Sequence, residues 1–190
     1  MKVIKLGGSL MTDKTVLKRC LKTIKQRCYE QVVIVPGGGV FAEQVRSIQK
    51  QWKFDDRIAH QMALLSMQQM GLLFKSIESS FEMAGSLVEI QQASSNQLLS
   101  IWSPDIKQLD NDSVEANWNI TSDSLAAWLA TQLKATELIL IKSANIPMEV
   151  DLQKLQELGI IDPSFNELSK NSSYKITVIN HHRFNEYSNL

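Results

Sequence analysis

The sequence has no surplus of charge of either sign, because 20 lysines and arginines balance 20 aspartates and glutamates. A chain without a basic surplus has no general electrostatic attraction to nucleic acid or to acidic membranes. It also has no apolar run approaching the roughly 20 residues that cross a bilayer, and its first residues lack the apolar stretch of a secretory signal. We therefore expect a soluble, cytoplasmic protein that binds neither nucleic acid nor a membrane.

Cysteine is scarce as well. Cys20 and Cys28 follow a helical pattern eight residues apart, which separates their Cα atoms by roughly 12 Å at about 1.5 Å per residue. That is too far for a disulfide. The pair His181–His182 has no cysteine or aspartate at metal-ligand spacing, so we expect no metal site built from protein residues. No linker or repeat divides the 190 residues, and a single domain spanning residues 1–190 is expected.

Short apolar segments alternate with helical patterns along the chain. Strands are predicted at VIKL (3–6), VVIV (32–35), SLVEI (86–90), QLLSIW (97–102), ELILIK (137–142) and YKITVIN (174–180). Helices are predicted at 15–28, at 40–52, at 55–81 with a possible break near Gly71, and at 121–135, where Thr121 or Ser122 would cap the helix. Strands that are apolar on both faces are typical of parallel sheets covered by helices. The alternation predicts an α/β fold, a three-layer αβα sandwich around a mainly parallel sheet.

Two of the predicted strands end in glycine-rich loops that lead towards helices. Gly7–Gly8 follows the first strand, and Gly37–Gly39 follows the second. Loops at the carboxyl ends of parallel strands line the ligand crevice, and glycine amides beside a helix N-terminus bind oxyanions. A single Gly-Gly pair is explained equally well by a turn, but two such loops in one small domain favour an anion site. Lys5 shares a strand face with Gly7, so it can reach such an anion; the alternative is a strand-end lysine that extends to water.

Neither loop matches G-x-x-x-x-G-K-[ST] or G-x-G-x-x-G, which argues against a Walker-type nucleotidase and a dinucleotide dehydrogenase. The order K-x-G-G-S, V-P-G-G-G and NITSDSLAAWLA before an apolar strand resembles the amino acid kinase superfamily. That superfamily includes acetylglutamate kinase, aspartokinase, uridylate kinase and isopentenyl phosphate kinase. More narrowly, DDRIAHQMALLSMQQMG, SIWSP and LILIKS are similar to the small kinases of methanofuran biosynthesis, which phosphorylate an aminomethylfuran-methanol phosphate to its diphosphate.

The resemblance implies an ATP-dependent kinase that transfers the γ-phosphoryl group of ATP to a small anionic acceptor. The expected acceptor is a furan-methanol phosphate in the biosynthesis of a methanofuran- or methylofuran-type cofactor. ATP would bring Mg²⁺ with it, and a homo-oligomer is expected. Two alternatives stay open: a non-catalytic protein that binds a nucleotide or metabolite on the same fold, and a carboxylate kinase of the acetylglutamate kinase type.

The resemblance also implies roles for individual residues. The implied catalytic residues are Lys5, Asp123 and Lys142, with Asp123 orienting the lysines. Binding of ATP and its phosphates is implied for Gly7, Gly8, Ser9, Thr121, Ser122 and Ser143, and binding of the acceptor for Gly37, Gly38, Gly39 and Asn119. The alternatives are that Asp123 is a carboxylate favoured at a helix N-terminus, and that Lys142 is a strand-end lysine facing water; the functional roles are favoured.

The chain departs from the family pattern in two ways. Most members have a Thr-Asp pair where this chain has Lys142–Ser143, so Lys170 remains a second candidate for the other phosphate-binding lysine. Members are also usually longer, which leaves open how tightly the shorter second half binds ATP. Among the other residues, His60 is typical of a core histidine, or lies near the acceptor pocket or a subunit contact. Trp118 and Trp128 are expected to pack, and His181–His182 is expected at the surface.

Overall fold

The computed structural model describes residues 1–27, 31–111, 114–147 and 150–184. The strands in these ranges are β1 (Lys2–Leu6), β2 (Val32–Pro36), β3 (Glu82–Ala84), β4 (Ser100–Trp102), β5 (Glu137–Lys142) and β6 (Lys175–Asn180). The helices are α1 (Lys14–Arg27), α2 (Gly39–Trp52), α3 (Asp56–Ile77), α4 (Leu87–Ser95), α5 (Ile106–Asn111), α6 (Ser122–Gln132), α7 (Leu152–Glu157), α8 (Phe165–Ser169) and α9 (His181–Phe184). A 3₁₀ turn (Gly8–Thr12) lies between β1 and α1.

The described strands form one parallel sheet in the order β3-β4-β2-β1-β5-β6. β1 therefore lies between β2 and β5, and Lys5 is in register with Val35 and Leu140. Every residue of β1 and β2 is buried, as a sheet covered on both faces requires. The predicted α/β sandwich is confirmed.

The sheet separates two apolar clusters. Val3 and Val33 face one cluster, which includes α6 and residues from α4, α5, α7 and α8. Ile4 and Ile34 face the other, which includes α1 and α9. α3 contributes to both clusters, and α2 packs on α3. α2, α3 and α6 thus surround the carboxyl ends of β1 and β2.

The prediction of a strand at SLVEI was wrong, because this segment opens α4. Ser86 caps the helix by accepting a hydrogen bond from the Glu89 N–H at 3.2 Å, and Glu89 Oε2 accepts one from the Gly85 N–H at 2.6 Å. This reciprocal pairing at a helix start is a local alternative to a strand. The neighbouring strand β3 was missed because it has only three residues, of which one is fully buried.

The long helix α3 continues through Gly71 without a break. A Cβ at this position would come within 3.0 Å of Met83 Cε and 3.1 Å of Ile101 Cγ2. The glycine therefore lets the helix approach β3 and β4 closely, and the predicted break is absent.

Other expectations about single residues have mixed outcomes. Trp128 packs as expected and stacks on Trp102, with ring centroids 5.7 Å apart. His181 is buried rather than exposed, because α9 packs against α1. Cys20 is a free buried thiol, and burial raises its pKa to about 11; Cys28 lies outside the described residues. Across the described ranges, no helix combines the length and apolarity needed to span a membrane.

Candidate active site

The two glycine loops touch each other, backbone to backbone, at the carboxyl ends of β1 and β2. A Cβ on Gly8 would lie 2.3 Å from the Gly39 nitrogen, and one on Gly37 would lie 2.4 Å from the Gly8 nitrogen. Gly39 also has a positive φ of 57°, which disfavours any side chain. The contact between the loops therefore requires these glycines before any ligand is considered.

The amides of the loops are not all available to a ligand. Gly7 and Gly37 donate their N–H groups to the carbonyls of Ile141 and Leu6, each at 2.9 Å, and so extend the sheet. The expectation that these two amides face an anion is corrected. Gly8 and Gly39 instead open the 3₁₀ turn and α2, where the first N–H groups of a helix have no intrahelical acceptor. The amides that can meet an anion belong to these two helical starts.

A cavity of about 350 Å³ opens in front of the loops. Its loop side is formed by Gly8, Ser9, Gly38 and Gly39, and the N-terminus of α6 adds Thr121 and Ser122. Leu64 and Met67 of α3, with Ile120 and Leu125, give it an apolar middle. Asn119 is exposed and is not part of this wall. The structure thus brings both loops to one cavity and leaves Asn119 outside it.

Asp123 pairs with two lysines from adjacent strands. Lys5 Nζ of β1 lies 2.8 Å from Asp123 Oδ1, and Lys142 Nζ of β5 lies 2.5 Å from Asp123 Oδ2. The exposed fractions of these side chains are 5% for Lys5, 5% for Asp123 and 12% for Lys142. Neither lysine extends freely to water, and Asp123 does more than cap a helix.

The charges of this cluster do not balance. Burial raises the pKa of Asp123, but the ammonium groups of Lys5 and Lys142 outweigh it, so that pKa lies below its ordinary value. Burial, together with the charge of Lys5, lowers the pKa of Lys142 to about 8 despite the nearby carboxylate. Near neutral pH, two positive charges therefore contact the single negative charge of Asp123, while the Asp162 carboxylate acts on Lys142 without an ion pair to it. A buried excess of positive charge is unfavourable until an anion binds beside it.

Asp162 holds the start of α6 in place, a role that no sequence pattern indicates. Its Oδ2 accepts hydrogen bonds from the N–H and Oγ1 of Thr121 at 3.0 and 2.8 Å and from the Ser124 N–H at 3.0 Å. Its Oδ1 accepts one from Ser124 Oγ. Thr121 makes no capping bond with its own side chain. Asp162 therefore replaces the expected cap and fixes Asp123, in the first turn of the helix, towards the lysines.

Ser143 is tied to the first glycine loop. Its Oγ lies 2.7 Å from Ser9 Oγ, and Asn180 Nδ2 donates to the carbonyls of Ser143 and Ala144 at 3.1 and 2.8 Å. Lys170, in contrast, is exposed at the C-terminal end of α8. Of the two candidate second lysines, Lys142 is the one that contacts Asp123.

Another part of the cavity wall is polar and is built by Trp118 from a loop segment and by side chains of α2 and α3. Trp118 donates from Nε1 to Gln49 Oε1 at 2.6 Å, and the Arg46 guanidinium lies 4.3 Å from the centroid of its ring system. Arg57 holds Asp110 through two hydrogen bonds of 3.0 and 2.6 Å. Arg46, Trp118 and His60 all line the cavity, so Trp118 contributes to the site as well as to packing.

This fold and this paired-lysine site define the class of the protein: the chain belongs to the amino acid kinase family, whose sequence pattern matches residues 1–145. It is 31% identical over 140 residues to the (5-(aminomethyl)furan-3-yl)methyl phosphate kinase of Methanocaldococcus jannaschii. That alignment covers 74% of this chain and 64% of the relative, so the chain matches less than two thirds of the relative's length.

Solved structures share the fold at low sequence identity. Uridylate kinase from Archaeoglobus fulgidus superposes with a TM-score of 0.74 and 18% identity, covering 99% of this chain and 95% of that one. Aspartate kinase from Synechocystis superposes with a TM-score of 0.69 and 13% identity, covering 95% of this chain and 38% of that one. At these identities the likeness establishes the fold and not the substrate.

Proposed function

We propose that the chain is an ATP-dependent phosphotransferase that moves the γ-phosphoryl group of ATP to a small anionic acceptor. The observation that carries the proposal is the buried cluster of Lys5, Asp123 and Lys142 beside the touching glycine loops. Phosphoryl transfer needs alignment and neutralisation of charge more than covalent help from the protein. The two ammonium groups supply that charge, and Asp123 fixes their positions.

The remaining assignments follow from position. Ser9 and Ser143 lie together beside the first loop, where they can donate to ATP phosphates along with Gly8. Gly38 and Gly39 face the cavity, where they can hold the phosphate of the acceptor. The ATP-binding roles of Thr121 and Ser122 remain predictions. Both residues line the cavity that the glycine loops also line, and this position supports such a role.

Mg²⁺ would enter with ATP rather than occupy a site built by this chain. No cluster of three or more histidine, cysteine or acidic residues suited to a metal occurs in the described ranges. Both carboxylate oxygens of Asp123 are already paired with lysines. Mg²⁺ commonly keeps several waters and binds through substrate phosphates, so the residues present fit a metal delivered by the nucleotide.

An enzyme that consumes ATP also fits our proposed location, the cytoplasm.

The acceptor we propose is a furan-methanol phosphate used in building a methanofuran- or methylofuran-type cofactor. The support is the relative from Methanocaldococcus jannaschii, whose name specifies an aminomethylfuran phosphate. The cavity of about 350 Å³ suits a small molecule, and its apolar middle suits a ring. A phosphate monoester is already largely ionised near pH 7, since its second pKa is about 6. Its oxygen can therefore attack without a general base.

A coupled assay of ADP release tests the proposal with furan-methanol phosphates as acceptors. Turnover should be lost in Lys5→Ala and Lys142→Ala and retained in Lys50→Ala, a control at an exposed lysine of α2. Trapping of an acyl phosphate with hydroxylamine would point to a carboxylate kinase instead. Tight ATP binding with no turnover on any acceptor would indicate a non-catalytic binding protein and refute the proposal.

We also propose that the chain self-associates through α3. Ile58, Leu65 and Leu72 recur every seven residues on this helix with exposed fractions of 45%, 48% and 61%. A contiguous exposed apolar stripe often marks a contact between proteins. Light scattering should show that Leu65→Glu lowers the oligomeric mass, while Val88→Glu, at another exposed apolar residue, leaves it unchanged.

A further inference from the structure

We propose that His60 selects the acceptor by accepting a hydrogen bond from an amine at the end of the acceptor opposite its phosphate. This inference rests on the proposed kinase function and deepens it. It assigns the acceptor to a chemical class, which is a phosphate monoester with an apolar ring and an amine on the far side.

The first support is an unmet hydrogen bond. His60 is 4% exposed and lines the cavity. Its Nε2 is buried and makes no hydrogen bond to any residue in the described ranges. Buried polar atoms in folded proteins nearly always have a partner. Because His60 lines the cavity, a ligand bound there is the partner that this unpaired nitrogen points to.

The second support is the protonation state of the ring. Burial lowers the pKa of His60, opposed by a hydrogen bond to the Asn117 backbone and by the charge of Asp110, while Arg57 adds to the lowering. The imidazole is therefore neutral near pH 7. Because Nε2 has no partner in the described residues, the bond to the Asn117 carbonyl falls to Nδ1–H. In a neutral imidazole, one nitrogen donates and the other accepts, so Nε2 carries a lone pair that only a donor can satisfy.

The third support is the position of His60 relative to the loops. A Cβ built on Gly38 would lie 3.5 Å from Ser66 Cβ, so this part of α3 adjoins the second glycine loop. His60 precedes Ser66 by six residues, or about 9 Å along a helix that rises ~1.5 Å per residue. Leu64 lies between these positions, and Met67 directly follows Ser66; both line the cavity. An acceptor with its phosphate on the loops would place a ring against these side chains and its far substituent near His60.

The test compares two acceptors that differ only in the amine: (5-(aminomethyl)furan-3-yl)methyl phosphate and its 5-methyl counterpart. The variants are His60→Leu, which removes the acceptor atom, and His60→Gln, whose Oε1 can replace Nε2. Gln61→Leu, at an exposed neighbour, is the matched control. Calorimetric binding and kcat/KM are both measured, together with KM for ATP.

Wild type and Gln61→Leu should prefer the amine compound, by on the order of 100-fold in kcat/KM, since the 5-methyl compound leaves a buried acceptor atom without a donor. His60→Leu should lose this preference with KM for ATP unchanged, and His60→Gln should recover part of it. Equal use of both acceptors by wild type would overturn the inference while leaving the kinase proposal standing. If no transfer is seen, the binding preference alone decides: its loss in His60→Leu supports the inference, and its absence in wild type refutes it.

Discussion

Replacing Asp123 with asparagine keeps the shape of the side chain and removes the one negative charge between two buried ammonium groups. The contacts at 2.8 Å to Lys5 and 2.5 Å to Lys142 then lose their attraction. Removing one partner of a buried ion pair costs about 3–5 kcal/mol. Part of this free-energy cost is relieved, because Lys142, whose pKa is already lowered to about 8, can release its proton. For a chain of this size, about 2–4 °C of Tm per kcal/mol gives an expected fall in Tm near the lower end of roughly 6–20 °C.

The same change should lower kcat by on the order of 10²–10³, the range seen when a group that stabilises charge in a transition state is lost. Thermal unfolding followed by circular dichroism and the ADP-release assay measure the two effects. Asp151→Asn is the matched control, because Asp151 caps α7 through the Lys154 N–H and asparagine caps equally well. An Asp123→Asn protein with wild-type turnover and a Tm within about 2 °C of wild type would refute the electrostatic reasoning; the 2 °C margin is under one kcal/mol.

Three further changes test other parts of the structure. The pKa of Lys142 falls from 10.5 to about 8 on folding, so between pH 8 and pH 10.5 the unfolded chain binds more protons than the folded chain. The free energy of unfolding should therefore rise with pH across that window. Urea unfolding of wild type and of Lys142→Met, compared over this pH range, measures the contribution. Activity should fall over the same rise in pH, because a neutral amine no longer offsets phosphoryl charge, and a flat profile to pH 9 would contradict the assignment. Gly8→Ala should fail to fold or should disrupt the structure of both glycine loops, since its Cβ would lie 2.3 Å from a backbone nitrogen. The control is Gly159→Ala, whose Cβ would meet no atom within 4 Å. It should lower the free energy of unfolding by only about 1 kcal/mol, because of the positive φ at this position. Asp162→Ala should lower both Tm and kcat, because it removes the hydrogen bonds that hold the start of α6. An unchanged kcat would show that Asp162 does not position Asp123.

The sheet was predictable because its central strands have an unambiguous pattern. β1, β2 and β5 are buried on both faces, and only a sheet between helical layers accommodates such runs. α4 was not predictable from apolar content, because the pairing of Ser86 with Glu89 decides it. β3 is defined by its pairing with β4 rather than by a pattern of its own.

From residue patterns alone, the candidate site was predictable only where the chain itself brings residues together; the meeting of Lys5, Asp123 and Lys142 was predictable only through the family resemblance. Lys5 and the first glycine loop are neighbours in sequence, so their proximity follows from strand geometry. Asp162 lies 38 residues beyond Ser124, and nothing in either segment specifies the other. The role of Gly8 was also hidden, because a sequence does not distinguish a glycine that admits a ligand from one that admits a second loop.

The direct contact between Gly8 and Gly39 also matters to anyone who wishes to redesign this protein. With no space between the two backbones, an insertion or a bulkier residue in either loop displaces the other, so the two loops cannot be altered separately there. Changes to the cavity are better sought at His60, Arg46 and Trp118, which line it and lie outside the contact between the loops.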